Sequence, residues 1–125
     1  MKANDQAIIL FAHGARDPDW AAPFNIIQKQ VQAARPEVLV ALAFQDFMTP
    51  TLEQAAAQCA ARGARKVVLV PLFMAQGGHL KQDLPRMVAK IREQHPQLEL
   101  RVTPAIGDAP EILRLISDLV LRGAL

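Results

Sequence analysis

The sequence contains no tyrosine, one tryptophan, one cysteine and five phenylalanines in 125 residues. With aromatics at 5% and the basic residues scattered, the chain offers no stacking surface for bases, and nucleic acid is not an expected partner. Cys59 alone closes no intramolecular disulfide, so nothing in the fold depends on an oxidising compartment. No apolar run reaches the roughly 18 residues that a membrane-spanning helix needs, and Met1 to Gln6 lead straight into a strand-like segment rather than a signal peptide. These absences give the cytoplasm as the expected compartment, with no membrane partner. A dominant charge is lacking too: fourteen Lys and Arg against twelve Asp and Glu leave +2, a mild bias that suits an acidic small ligand without requiring one.

What is present is the composition of an ordinary globular domain, 51% hydrophobic and 21% charged. A chain this long buries roughly two-thirds of its unfolded surface around one core, so residues 1–125 read as a single domain. Four short apolar runs, each followed by a loop and then by helical spacing, predict an α/β fold: a four-stranded parallel sheet with helices on both faces. The first run, Ala7 to Ala12, is uniformly apolar, as a strand buried on both faces should be, and stops at His13-Gly14. From Asp19 a helix is predicted with Trp20, Phe24, Ile27 and Val31 on one face and Pro23 in its first turn, ending before Pro36. The second strand is Val38 to Phe44. Thr49 or Thr51 then caps a helix that runs to Arg62-Gly63.

The third strand begins at Lys66 and ends near Pro71, which donates nothing to a central ladder. Ala75 to Asp83 read as a loop, followed by a helix burying Leu84, Met87, Val88 and Ile91. The fourth strand, Leu98 to Thr103, alternates as an edge strand does. After Gly107 to Pro110 comes a terminal helix carrying Ile112, Leu113, Leu115, Ile116, Leu119 and Val120.

Right-handed crossovers with helices on both faces require the strand order to reverse, which for four strands gives 2-1-3-4. Ligands then bind outside the carboxyl ends of the first and third strands. The loop after the first strand begins at His13 and the loop after the third contains His79. A single histidine at a strand end is usually just a hydrogen-bonded loop residue. Two at the switch point make a candidate site, because neutral imidazoles bind a borderline divalent metal and accept protons near pH 7. Two ligands are too few for a closed structural site, which leaves a labile, partly open one.

Asp46, just past the second strand, lies on the same sheet edge and is a candidate carboxylate for a cation. Arg16, Lys81 and Arg86 lie near that edge as candidates for ligand carboxylates. Gly77-Gly78 lack the spacing of a phosphate or dinucleotide loop; they are expected to bend the backbone or admit a bulky ligand. Phe47, Met48 and Met74 are candidates for the floor of a pocket. His95 and Cys59 read as a helix end and a small core residue.

Two segments carry a resemblance. Phe11-Ala12-His13-Gly14-Ala15-Arg16-Asp17 after the first strand, and Pro71, Phe73, Gly77, Gly78, His79, Asp83 and Pro85 after the third, resemble the short form of the CbiX family. These are sirohydrochlorin cobaltochelatases and their ferrochelatase relatives, class II chelatases. The likeness covers nearly the whole chain. It implies a chelatase half-fold paired as a homodimer, with His13 and His79 as metal-binding and proton-accepting residues. Asp46 stands where the family commonly has Glu. Arg16, Gly77, Gly78 and Lys81 become candidates for contact with sirohydrochlorin or a related tetrapyrrole. The implied reaction inserts Co²⁺ or Fe²⁺, with Ni²⁺ as a further metal, and needs no permanently bound cofactor.

The chemistry of insertion agrees with these residue types. A divalent ion entering a tetrapyrrole displaces two pyrrole protons, so the site needs bases and loose nitrogen donors rather than a nucleophile. Histidine phosphatases also end their first strand in His-Gly, but they need an arginine where this chain has Ala12. A phosphorylated receiver needs acidic residues that these strand ends lack. The remaining alternative is a tetrapyrrole- or metal-binding protein without turnover.

Overall fold

The computed structural model describes residues 5–75 and 77–124, without the side chain of His79. Four parallel strands, β1 (Gln6–Ala12), β2 (Leu39–Phe44), β3 (Lys66–Pro71) and β4 (Glu99–Val102), form one sheet in the order β2-β1-β3-β4. The crossover argument gives this same order. Four helices connect and follow them: α1 (Ala22–Ala34), α2 (Leu52–Ala61), α3 (Gly78–Gln94) and α4 (Pro110–Ala124).

The two central strands are apolar after their first residues, and their two faces pack on different sets of residues. On one face Ala7, Ile9 and Phe11 of β1 join Val67 and Leu69 of β3 beneath α2 and α3. Those helices contribute Leu52, Ala55, Ala56 and Cys59, and Leu80, Leu84, Val88 and Ile91. Each large aliphatic side chain buried here contributes about 2 kcal/mol. On the other face Leu10 and Val40 pack with Ile8, Leu42, Val70 and the α1 residue Val31. Trp20 and Phe24 close the top of this layer over Ala12, Ala21 and Phe44.

The helix boundaries follow local chemistry. Thr51 and Gln54 form a capping box, with Gln54 N–H donating to Thr51 Oγ1 at 3.2 Å and Thr51 N–H to Gln54 Oε1 at 2.9 Å. Of the two threonines proposed as caps, Thr51 is the one used. Gly63 follows the last turn of α2 at φ 92°, the left-handed conformation that closes helices. The structure alters three expectations. Trp20 belongs to a separate 3-10 turn, Pro18–Ala21, and α1 starts only at Ala22 with Pro23 in its first turn. Ile27 stays 36% exposed rather than joining the buried face, because α1 lies over the sheet's edge. Helix α3 begins at Gly78, so His79 lies in a first helical turn and not in a loop, drawn there by burial of Leu80 one turn ahead of Leu84.

Helix α1 also seals the outer edge of β2. Gln32 Nε2 donates to Val38 O at 2.6 Å while its Oε1 accepts from Val40 N–H at 3.1 Å, and Gln28 Nε2 donates to Val40 O at 2.9 Å. These amides take the place of a fifth strand.

Candidate functional site

The site is built where β1 and β2 end side by side. Their register pairs Ala12 with Phe44, and continuing it by one residue brings His13 beside Gln45. The two loops are then joined through their backbones: Gln45 N–H donates to Ala12 O and Asp46 N–H to His13 O, both at 2.9 Å. Gly14 makes this closeness possible. It sits at φ 86°, and a Cβ there would fall far inside van der Waals contact of the Asp46 carbonyl oxygen. The His-Gly pair is therefore a structural necessity as well as a chemical one.

The His13 ring is fixed on two sides. Its Nδ1 lies 3.3 Å from Gln45 Oε1, and its ring packs against Phe73 with centroids 4.2 Å apart. Phe73 is itself buried edge-on against Phe11, 5.5 Å between centroids, so the platform belongs to the core. An amide oxygen at Nδ1 calls for the proton on that nitrogen, which leaves the Nε2 lone pair to a metal or a proton. His13 remains exposed despite these contacts.

Around it the surface is open and partly apolar. Phe47 takes a left-handed backbone, φ 67°, and holds its ring 66% exposed, with the Arg16 guanidinium 4.8 Å from the ring centroid. Met74, past the end of β3, is 56% exposed. Met48 is half-buried and packs on the cluster of Ala12, Ala21 and Phe44 that Trp20 and Phe24 also cover, so it supports this surface from below. Gly107, after β4, packs so tightly on the Met74 carbonyl that a Cβ there would overlap it. The loops after all four strands are thus tied together, β1 with β2 through Gly14, β3 with β4 through Gly107, and β1 with β3 through His13 and Phe73.

Among the remaining candidates, Asp46 is exposed and touches His13 through its backbone. Among the described residues no three His, Cys, Asp or Glu side chains gather into a metal cluster. His79 occupies the second position of α3, and its side chain lies outside the described residues, as does Gln76. Gly77 caps α3 in extended backbone, φ −70°, without a side-chain bond, and among the described residues neither it nor Gly78 has a neighbour within 4 Å of an added Cβ. The described surroundings leave room above both glycines. Lys81 lines a groove of about 530 Å³ between α3 and β4, with Leu84, Val88, Arg92 and Leu100, and the structure does not gather it with His13 and Gln45. His95 ends α3 as expected, its N–H donating to Ile91 O at 2.8 Å. Cys59 is fully buried and burial pushes its thiol up to about 11, which removes it from nucleophilic chemistry.

Sequence reasoning missed Gln45 and gave Phe73 a place in the motif without a role. The signal for Gln45 was the strand register, which composition does not show; that Phe73 is the platform under His13 is a tertiary contact.

The family model described as CbiX matches residues 7–122. The sirohydrochlorin cobaltochelatase of Saccharolobus islandicus strain L.S.2.15 is 32% identical over 106 residues, covering 80% of this chain and 81% of that protein. Among solved structures, the cobalamin (vitamin B12) biosynthesis CbiX protein of Marinobacter aquaeolei VT8 superposes with a TM-score of 0.83 at 28% identity, over 95% of this chain and 97% of that one. The fold also recurs, with a TM-score of 0.76 at 24% identity, in the sirohydrochlorin chelatase SirB of Bacillus subtilis subspecies spizizenii in complex with cobalt; 88% of this chain covers 47% of that chain.

Proposed function

The chain belongs to the CbiX family, and on that premise we propose that it is a chelatase inserting a divalent metal, Co²⁺ or Fe²⁺, into sirohydrochlorin. The observation that carries this reading is the switch-point histidine, His13, held by Gln45 and Phe73 with its outer nitrogen free, in a chain that matches the CbiX model from residue 7 to 122. Residues 1–125 act as one domain, in the cytoplasm, with no resident cofactor; the metal is a substrate, and Ni²⁺ is a further candidate.

In this reading His13 and His79 bind the incoming ion loosely and take up the two pyrrole protons that it displaces. Loose binding is required because the macrocycle must win the metal from the protein. Asp46 supplies negative charge at the rim, favouring the cation. Phe47 and Met74 offer an apolar surface to the flat macrocycle, while Arg16, Lys81 and the uncapped backbone at Gly77 and Gly78 meet its carboxylates. The working unit is a homodimer, since a half-fold leaves the macrocycle open on one side.

The test is anaerobic absorbance of sirohydrochlorin with Co²⁺ or Fe²⁺ and a trace of protein. Conversion above the uncatalysed rate is expected, lost in the His13→Ala/His79→Ala variant and only weakened in Asp46→Asn. A spectral change that stops at one equivalent of protein would make the chain a tetrapyrrole binder and overturn the enzymatic reading.

A further inference from the structure

The loop after β2 turns back on itself in a strained conformation that displays one side chain. Met48 N–H donates to Asp46 O at 2.8 Å across Phe47, whose φ of 67° makes this a γ-turn of the rare positive-φ kind. A side chain is disfavoured at such a position, and glycine would hold it more cheaply. The turn is nevertheless firmly based. Gln45 and Asp46 donate to the β1 loop, and behind them Phe44 N–H donates to Pro50 O at 2.9 Å. Phe47 returns nothing to the core: among the described residues its ring joins no apolar cluster and stands 66% exposed. Strain held in place by its surroundings, with no packing gained, points to a ligand.

One face of that ring is already occupied. The Arg16 guanidinium lies 4.8 Å from its centroid, and Arg16 comes from the loop that begins at His13. The backbone around Arg16 is fixed on both sides, by Gly14 against Asp46 and by Asp17, whose carboxylate accepts from Asp19 N–H at 3.0 Å to cap the turn Pro18–Ala21. The covered face is therefore the one turned toward the β1 loop. Among the described residues Arg16 has no carboxylate partner, and the ring is what it rests on. A flat ligand settling between His13 and Phe47 meets this cation before it meets the ring.

We infer that Arg16 is a displaceable cover on Phe47, and that the pair selects carboxylate-rich tetrapyrroles over carboxylate-poor ones. A macrocycle stacking on the covered face must lift the guanidinium off the ring. A carboxylate at the edge of the macrocycle then receives it, and a cation–π contact is exchanged for a charge-assisted, bidentate pair. A macrocycle with no carboxylate in reach displaces Arg16 and offers nothing in its place. Selection thus works by a penalty on the wrong ligand as well as by contact with the right one. The inference rests on the tetrapyrrole reading above and adds how the periphery of the macrocycle is read.

Fluorescence titration with two metal-free probes tests it: uroporphyrin, an octacarboxylate, and deuteroporphyrin, a dicarboxylate with one bare edge. Arg16→Ala, a change at an exposed position, should weaken uroporphyrin about tenfold and tighten deuteroporphyrin about threefold, the worth of an exposed cation–π contact. Phe47→Gly relaxes the turn and should weaken both probes about tenfold without lowering the melting temperature. If deuteroporphyrin binds Arg16→Ala no more tightly than the wild type, Arg16 is an ordinary carboxylate ligand and the exchange is overturned. Wild-type affinities in Phe47→Gly remove the ring from the site and overturn it equally. A wild type that binds neither porphyrin overturns the selection, and one that also fails to bind sirohydrochlorin overturns the tetrapyrrole reading beneath it.

Discussion

Replacing Gly14 with alanine separates two costs that coincide at one residue. Gly14 and Gly63 share a left-handed backbone, φ 86° and 92°, but an added Cβ at Gly63 has nothing within 4 Å, whereas at Gly14 it strikes the Asp46 carbonyl. Gly63→Ala should therefore cost only the backbone term, about 1 kcal/mol. Gly14→Ala pays that and also forces the β1 and β2 loops apart, losing the bonds from Gln45 to Ala12 and from Asp46 to His13. At about 1 kcal/mol for each, the total reaches about 3 kcal/mol. For a chain of this length the melting temperature should fall by about 11 °C in Gly14→Ala and about 4 °C in Gly63→Ala. Thermal unfolding by circular dichroism gives both numbers, and the Co²⁺ insertion rate adds a third reading, since only the Gly14 variant moves His13 away from Gln45. Equal melting temperatures with wild-type turnover in both would refute the idea that backbone closeness between the two loops builds the site.

Gln45→Ala should lower turnover by about 10- to 100-fold with the melting temperature unchanged, because it frees the His13 ring, and Gln45→Glu should restore most of the rate; a wild-type rate in the alanine variant removes Gln45 from the site. Gln32→Ala leaves Val40 N–H and Val38 O without their partners and should cost about 2 kcal/mol in urea unfolding, more than an exposed glutamine elsewhere on α1. Cys59 should resist thiol reagents at pH 8 until the protein unfolds. Because its folded pKa is raised, its contribution to stability is complete below about pH 9, where the unfolded thiol ionises, and is lost as pH rises towards about 11. Urea titrations across that window check the sign.

The sheet was legible because its signals are local and redundant. The uniform run at Ala7 to Ala12, the proline that closes β3 at Pro71 and the alternation of β4 each state a position in the sheet, and crossover handedness does the rest. His13 was legible as the residue that follows a buried strand at the switch point. The start of α3 was not, because Gly77-Gly78 have the weakest helix propensity short of proline, while the burial of Leu80 and Leu84 that overrides it is a tertiary fact. Ile27 and the α4 stripe, whose Leu113, Ile116 and Leu119 stay exposed, failed for the converse reason. Periodicity says which residues share a face, but not whether anything stands opposite that face. Gln45 needed the register between two strands, and Phe47's left-handed backbone has no glycine to announce it.

The two margins of the sheet are finished to different standards. Along β2 a pair of glutamines occupies the outward amide and carbonyls, whereas along β4 the described contact is Arg92 donating to Leu100 O at 2.8 Å. Growth of the sheet by an incoming strand is therefore vectorial: it can begin only on the β4 side. Misassembly at high concentration should then give fibrils of one polarity, seeded on β4, and a single proline in β4 should suppress them while the β2 margin needs no such guard.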